Sequence, residues 1–231
     1  MIIEYLIILA VIALLSVVQS IFGMGVLVFG TPTLLLLGYD FITTLGYLLP
    51  ASFSISLLQV FMTKSHEIRS SRNLYMLCLP GIGFGLWVTE ASPLGSWTNL
   101  MVGGILLVSA MVRLFPFSQK ALVYMLEKYC LTYHLMMGVV HGLTNLGGAF
   151  LAILASVTSK DKEAIRYTIA YYYLFFSIVQ MVFLAVVMGH HEILIVNLPV
   201  AILSGAIYLV IGNRIFIRTN NQYYNYALTL F

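Results

Sequence analysis

Gln19 and Ser20 lead into the run Phe22-Gly23-Met24-Gly25, and His141, Thr144 and Asn145 lead into Leu146-Gly147-Gly148. Each set lies in a long stretch free of Asp, Glu, Lys and Arg, and Gln59 and Gln180 sit in the apolar segments that follow. None of these stretches holds the paired carboxylates of general acid–base catalysis. His134 and His141 share a helical face at a spacing of seven residues, but no Cys, Asp or Glu supports them as metal ligands. No metal, cofactor or enzymatic reaction is expected. These residue types can instead hold an anion without a formal charge. A helix that restarts after a glycine break presents free N–H groups at the positive end of its dipole, and amide and hydroxyl side chains add donors. The candidate substrate-binding residues in the first half are Gln19, Ser20, Gly23, Gly25, Thr31 and Gln59. Those in the second half are His141, Thr144, Asn145, Gly147, Gly148 and Gln180. Serines such as Ser20, Ser52, Ser54 and Ser56 have a competing role, bonding the backbone of their own helix.

The elements that position these residues follow from charge spacing. The chain is 61% hydrophobic and 8% charged, against roughly a quarter charged in a soluble domain. Its uncharged intervals are 5–39, 41–63, 73–89, 91–112, 129–159, 167–191 and 193–213. About 20 apolar residues cross a bilayer as a helix. Five intervals therefore fit one crossing each, and 5–39 and 129–159 are too long for one. With glycines near the middle of each, the two long intervals read as hairpins that enter the membrane and return. Backbone broken at that depth needs protein or a water-filled cavity to satisfy it. The first segment is preceded by Glu4 rather than by a basic residue, so it is not read as a cleavable signal. Cys78 and Cys130 read as small buried hydrophobes. The net charge of +3 comes from loop clusters, which suits an anionic lipid surface and offers no stripe for nucleic acid.

Lys and Arg gather at Lys64, Arg69 and Arg72; at Arg113, Lys120 and Lys128; at Lys160, Lys162 and Arg166; and at Arg214 and Arg218, with no Lys or Arg inside a predicted segment. The remaining boundaries carry Glu4, Asp40, Glu90 and Glu192. Placing the basic clusters in the cytoplasm lets every single-length segment cross once. It also makes one hairpin enter from outside and the other from inside. The halves echo each other: His66-Glu67-Ile68 recurs as His191-Glu192-Ile193, Asn73-Leu74 as Asn197-Leu198, and Gly25 aligns with Gly147 (147 − 25 = 122). The expected organisation is an all-α polytopic bundle of two inverted repeats, residues 1–115 and 129–231, joined by a cytoplasmic linker over 116–128. The second repeat ends in an incomplete helix, because residues 213–221 are too polar to span. The tail over 222–231 reads as interfacial, with Tyr223, Tyr224 and Tyr226 at headgroup level. Gly81, Gly83 and Gly85 lack the strand and lysine of a nucleotide loop and read as helix-packing glycines.

A Gly-rich broken segment, a helix and a basic turn, occurring twice, resemble the TauE/SafE sulfite exporter family, also called the toluene-sulfonate uptake permeases. The resemblance rests on the stretch from Gln19 through Gly23, Gly25 and Gly30 to Pro32, and on its second copy from His141 to Phe150, although Leu154 stands where Pro32 would align. It implies a multi-pass permease of a bacterial or archaeal cytoplasmic membrane. The implied partners are the lipid bilayer and a small organic or inorganic sulfur anion such as sulfite or a sulfonate, and a homo-oligomer is possible. The alternatives are a non-transporting assembly or sensor subunit and an intramembrane enzyme. No Asp or Glu is available inside the segments to relay protons, so the expected mode is uniport. The alternative is coupling through His141, whose unperturbed pKa of about 6.5 lies near neutrality.

Overall fold

Apolar segments in a bilayer can satisfy their own amides only as helices or closed barrels. The computed structural model describes residues 2–63, 71–91, 103–104 and 116–229, and every regular element among them is helical. The helices are α1 (Ile2–Phe22), α2 (Val26–Leu36), α3 (Phe41–Met62), α4 (Leu79–Ala91), α5 (Pro116–Lys128), α6 (Cys130–Thr144) and α7 (Gly148–Thr158). They continue as α8 (Lys162–Val182), α9 (His191–Val196), α10 (Leu198–Ile207), α11 (Asn213–Arg218) and α12 (Asn221–Leu228). Wider π-helical turns precede α4 (Leu74–Cys78), extend α8 (Phe183–Val187) and join α10 to α11 (Tyr208–Gly212).

Five stretches are long and apolar enough to span a membrane: Glu4–Phe22, Phe41–Met62, Leu74–Ala91, Lys162–Val187 and Leu198–Arg218. The protein is a polytopic helical membrane protein. The expected crossing over 91–112 lies almost wholly outside the described residues, as do Lys64, Arg69, Arg113 and the His66-Glu67-Ile68 motif. Both long intervals break where glycine was expected to break them. Their arms are unequal: α1 has 21 residues and α2 has 11, while α6 has 15 and α7 has 11.

The two helices that follow the hairpins start alike. Asp40 caps α3 by accepting the Thr43 amide at 2.9 Å, and Asp161 caps α8 by accepting the Ala164 amide at 3.1 Å. Each bond satisfies one of the orphan donors of a first turn. Partial burial pushes the Asp40 carboxyl up, but the hydroxyl and amide of Thr43 outweigh it and hold the group below the usual aspartate range.

Two basic groups meet at one end of the bundle. Lys162 Nζ donates to the carbonyls of Phe216 and Thr219 at 2.9 and 2.6 Å, closing the last turn of α11, and Arg166 reaches Thr63 and Asn213. The polar stretch from Asn213 is helical as far as Arg218 and lies within an apolar stretch, Leu198–Arg218, long enough to span, which corrects the expectation that it is too polar to do so; Asn213 is paired there with Arg166. At the opposite end Ile193 packs where a Cβ on Gly46 would stand, which brings the Asp40 and Glu192 boundaries together. In α12 the tyrosines divide: Tyr223 and Tyr226 are exposed, but Tyr224 is fully buried, stacked on Phe22 at 5.4 Å. Helical periodicity thus removes Tyr224 from the expected headgroup position.

Helices α4 and α6 touch backbone to backbone through Gly81 and Gly85 on one and Gly138 and Gly142 on the other, a small-residue stripe at four-residue spacing. A Cβ on Gly138 would stand 2.2 Å from the Cys78 carbonyl oxygen, which no rotamer change can relieve. Gly138→Ala should destabilise the protein by about 1–3 kcal/mol through overpacking, read as a lower melting temperature in detergent. An unchanged melting temperature would mean that α4 and α6 do not pack this closely.

Candidate functional site

The first break opens where α1 meets Gly23 (φ 80°) and Gly25 (φ 155°), conformations that a side chain would strain. Gln19 closes it. Its Oε1 accepts the Val26 amide at 3.1 Å, and its Nε2 donates to Ser52 Oγ at 2.9 Å, Ser52 O at 3.1 Å and Ser56 Oγ at 3.2 Å. Gln59 Nε2 then donates to the carbonyls of Gln19 and Ser20, both at 3.0 Å. Ser20 Oγ turns back to the Ser16 carbonyl of its own helix, at 2.6 Å.

The second break is built on Asn145, which ends α6 in the left-handed conformation (φ 65°) and returns its amide to the His141 carbonyl at 2.7 Å. His141 Nδ1 accepts the Gly147 amide at 3.3 Å, and Thr144 Oγ1 donates to the Val140 carbonyl at 2.7 Å. Asn145 crosses to the first hairpin, donating through Nδ2 to Thr31 Oγ1 at 2.9 Å, and accepts at Oδ1 from Gln180 Nε2 at 3.2 Å. A Cβ on Gly148 would stand 2.4 Å from Val28 Cγ2, 2.5 Å from the Tyr173 hydroxyl and 3.4 Å from Met24 Sδ. The two breaks are therefore in contact.

The two sets of side chains occupy matching places. Gln19 and His141 are 122 residues apart (141 − 19 = 122), and each accepts an amide from the restart of the broken helix. Ser56 pairs with Ser177 and Gln59 with Gln180 at an offset of 121 (177 − 56 = 121; 180 − 59 = 121). Their hydrogen bonding differs. In the first half only Gln59 Oε1 among these groups lacks a partner. In the second half His141 Nε2, Ser177 Oγ and Gln180 Oε1 all lack one, although every one of these residues is fully buried. Because Nδ1 accepts from Gly147, a neutral His141 carries its proton on Nε2. The Gln180 carboxamide lies beside the ring, yet the two do not meet in hydrogen-bonding geometry.

The structure thus gathers Gln19, Ser20, Gly23, Gly25 and Gln59 at one break. It gathers Thr31, His141, Asn145, Gly147, Gly148 and Gln180 at the other, while Ser20 and Thr144 bond chiefly within their own helices. The amides of Val26 and Gly147 are already taken by side chains, so fewer restart N–H groups are free than glycine breaks suggest. Tyr173 and Ser177 escaped the sequence reading, although the 121-residue offset aligns them with Ser52 and Ser56. Arg166 escaped as well and corrects an expectation. It lies inside the spanning stretch Lys162–Val187 and is buried, because the Asp161 cap starts α8 before it. His134 is bonded on both sides, by the Cys130 carbonyl and the Tyr172 hydroxyl, as a packing histidine would be. Among the described residues no group of three possible metal ligands converges. A groove of about 340 Å³ lined by Pro50, Leu57, Leu198 and Ile202 is apolar and lies on the outer face, away from both breaks.

A family model described as Sulfite exporter TauE/SafE matches residues 8–231, nearly the whole chain. Neither a curated protein nor a solved structure matches it.

The unequal hydrogen bonding predicts unequal costs. Gln19→Leu strands the Val26 amide and the Ser52 and Ser56 hydroxyls, at about 1–3 kcal/mol for each buried group left unpaired. Ser177→Ala removes a hydroxyl that has no partner and should leave the melting temperature unchanged or raised. Equal losses in the two variants would show that the Ser177 hydroxyl is bonded after all.

Proposed function

This chain belongs to the sulfite exporter TauE/SafE family, and from that premise we propose that it is a permease for small sulfur-containing anions such as sulfite or sulfonates. The anion is held where the two broken helices meet, in a cytoplasmic membrane whose inner face carries the basic clusters. The observation that carries this reading is the set of buried polar atoms of the second half that the protein leaves unbonded, directly beside a helix restart. Unbonded polar groups in a membrane interior are costly unless a ligand uses them.

His141 Nε2–H and the Ser177 hydroxyl are donors that an anion's oxygens can accept, with the N-terminal dipole of α7 adding favourable potential within its first turn. Gln180 Oε1 offers an acceptor for an anion that carries its own proton. From the other side come the amides of Leu27 and Val28, which as first-turn groups have no intrahelical acceptor. The halves over 1–115 and 129–231 act as an inverted repeat, so rocking one broken helix against the other exposes the site to alternate faces. Transport proceeds as uniport unless His141 takes up a proton with the anion.

Purified protein in proteoliposomes should carry sulfite or a sulfonate. A hydrogen bond to a charged group is worth about 1.5–3 kcal/mol, so His141→Gln and Ser177→Ala should each cut flux by about tenfold or more at an unchanged melting temperature. Gly147→Val should abolish it. Wild-type protein that carries none of sulfite, sulfonates, thiosulfate or sulfate would favour the assembly or sensor subunit. Single cysteines at the Asp40 and Lys160 positions should label from opposite faces; labelling from one face would end the inverted-repeat assignment. If His141 couples a proton, wild-type flux will vary with pH near neutrality and His141→Gln will flatten that profile. A profile that the substitution leaves unchanged assigns simple uniport.

A further inference from the structure

Arg166 stands in the second turn of α8 with 4% of its surface exposed. Its Nη1 donates to the Ser20 carbonyl at 3.3 Å and to Asn213 Oδ1 at 3.2 Å, and its Nη2 to Thr63 Oγ1 at 3.4 Å. These partners are neutral, and the bonds sit at or beyond the long edge of the usual range. The guanidinium carbon lies 3.4 Å from the centroid of the Phe216 ring. Among the described residues no carboxylate pairs with it. Nε has no partner, and neither does the buried hydroxyl of Tyr208; Tyr208, Tyr224 and the exposed Glu163, one turn earlier on α8, all lie near enough to act on the charge.

A buried cation with no carboxylate in contact is costly, and in membrane proteins such residues mark substrate paths. Its position agrees with that. The Arg166 carbonyl oxygen is 3.0 Å from where a Cβ on Gly23 would stand, so the residue adjoins the first break. Along α8, Tyr173, Ser177 and Gln180 follow at intervals of seven, eleven and fourteen residues and share its face. At 1.5 Å per residue, Ser177 lies about 16 Å further into the bundle.

We propose that Arg166, through the fork between Nε and Nη2 and with the Tyr208 hydroxyl, forms a second anion subsite at the basic end of the bundle. It receives a small oxyanion before the site at His141 and Ser177 does. A guanidinium fork matches the paired oxygens of sulfite or a sulfonate. This rests on the permease reading, but equilibrium binding tests it independently of transport.

Arg166 also ties α8 to α1, α3 and α11, so Arg166→Gln alone would confound docking with folding. Asn213→Asp separates them: it keeps the bond to Nη1 and places a fixed carboxylate on the guanidinium. The readouts are the rise in melting temperature given by sulfite over equal chloride in detergent, and sulfite flux into vesicles. The wild type should show the rise. Asn213→Asp should remove it, increase the KM for entry from the basic face about tenfold or more, and leave the sulfite-free melting temperature unchanged or higher. Arg166→Lys should keep part of the rise. Asn213→Asp that binds and carries sulfite like the wild type would overturn the subsite and leave Arg166 a clamp, with the permease reading intact. No rise in the wild type would also overturn it. A rise without flux would overturn the permease reading and not the subsite.

Discussion

A helix broken inside a bilayer has no water for the amides it frees, and this protein depends on how those amides are satisfied. Gln19 and His141 do it from matching places, each turning a side-chain acceptor onto the backbone where the helix restarts. Much of the packing around the breaks follows from those two bonds. Gln19 can reach Val26 only if its Nε2 is satisfied behind it, which requires Ser52 and Ser56 on the facing side of α3. Gln59, one turn further along, gives the Gln19 carbonyl a second donor beside the Gly23 amide and also covers the Ser20 carbonyl.

The same position filled by an imidazole has different consequences. A carboxamide offers an acceptor and two donors at once, so Gln19 can close its break and bind α3 simultaneously. A neutral histidine that accepts at Nδ1 has only one donor left, on the far side of its ring. His141 packs that ring against Phe176 at 4.5 Å and Tyr173 at 5.8 Å, and leaves Nε2 without a protein partner. The exchange of Gln19 for His141 thus accompanies a difference between a break with one unbonded side-chain atom, Gln59 Oε1, and one with three.

Much of this was legible in the sequence because charge in a membrane chain is so strongly placed. Gaps between charged residues located four spanning stretches to within about five residues, while the 91–112 gap lies almost wholly outside the described residues. Glu4–Phe22, read as one arm of a hairpin, is by itself long enough to span, and glycines located both breaks to within a residue or two. Of the three glycines read as packing residues, Gly81 and Gly85 do pack, whereas Gly83 faces open space. What failed to show were residues whose meaning depends on partners. Arg166 looked like one more basic boundary residue, since nothing in its neighbourhood says that α8 begins at Asp161 and carries it inward. Ser177 looked like any helix serine, because whether a hydroxyl bonds its own backbone is a matter of rotamer and not of composition. Tyr224 was hidden by its neighbours: three tyrosines in four residues suggest one interface, and a helical turn sends one of them inward.

The division of labour proposed for Arg166 and the interior groups has a physical logic. A permease must bind its substrate well enough to strip its water and weakly enough to release it. A guanidinium placed beside His141 and Ser177 would interact through a low dielectric, where Coulomb energies grow several-fold over those near the surface, and would hold an anion too long. Neutral donors such as an imidazole N–H and a serine hydroxyl each contribute only a few kcal/mol. They compensate for lost hydration without trapping the ion. A cation is best placed near the bundle's end, where it can draw an anion from water and where Phe216 and neutral oxygens keep it in position without neutralising it. Among the described residues one arginine is buried, in the second turn of α8, and the unbonded neutral atoms of Ser177 and Gln180 follow about three and four turns further along the same helix face.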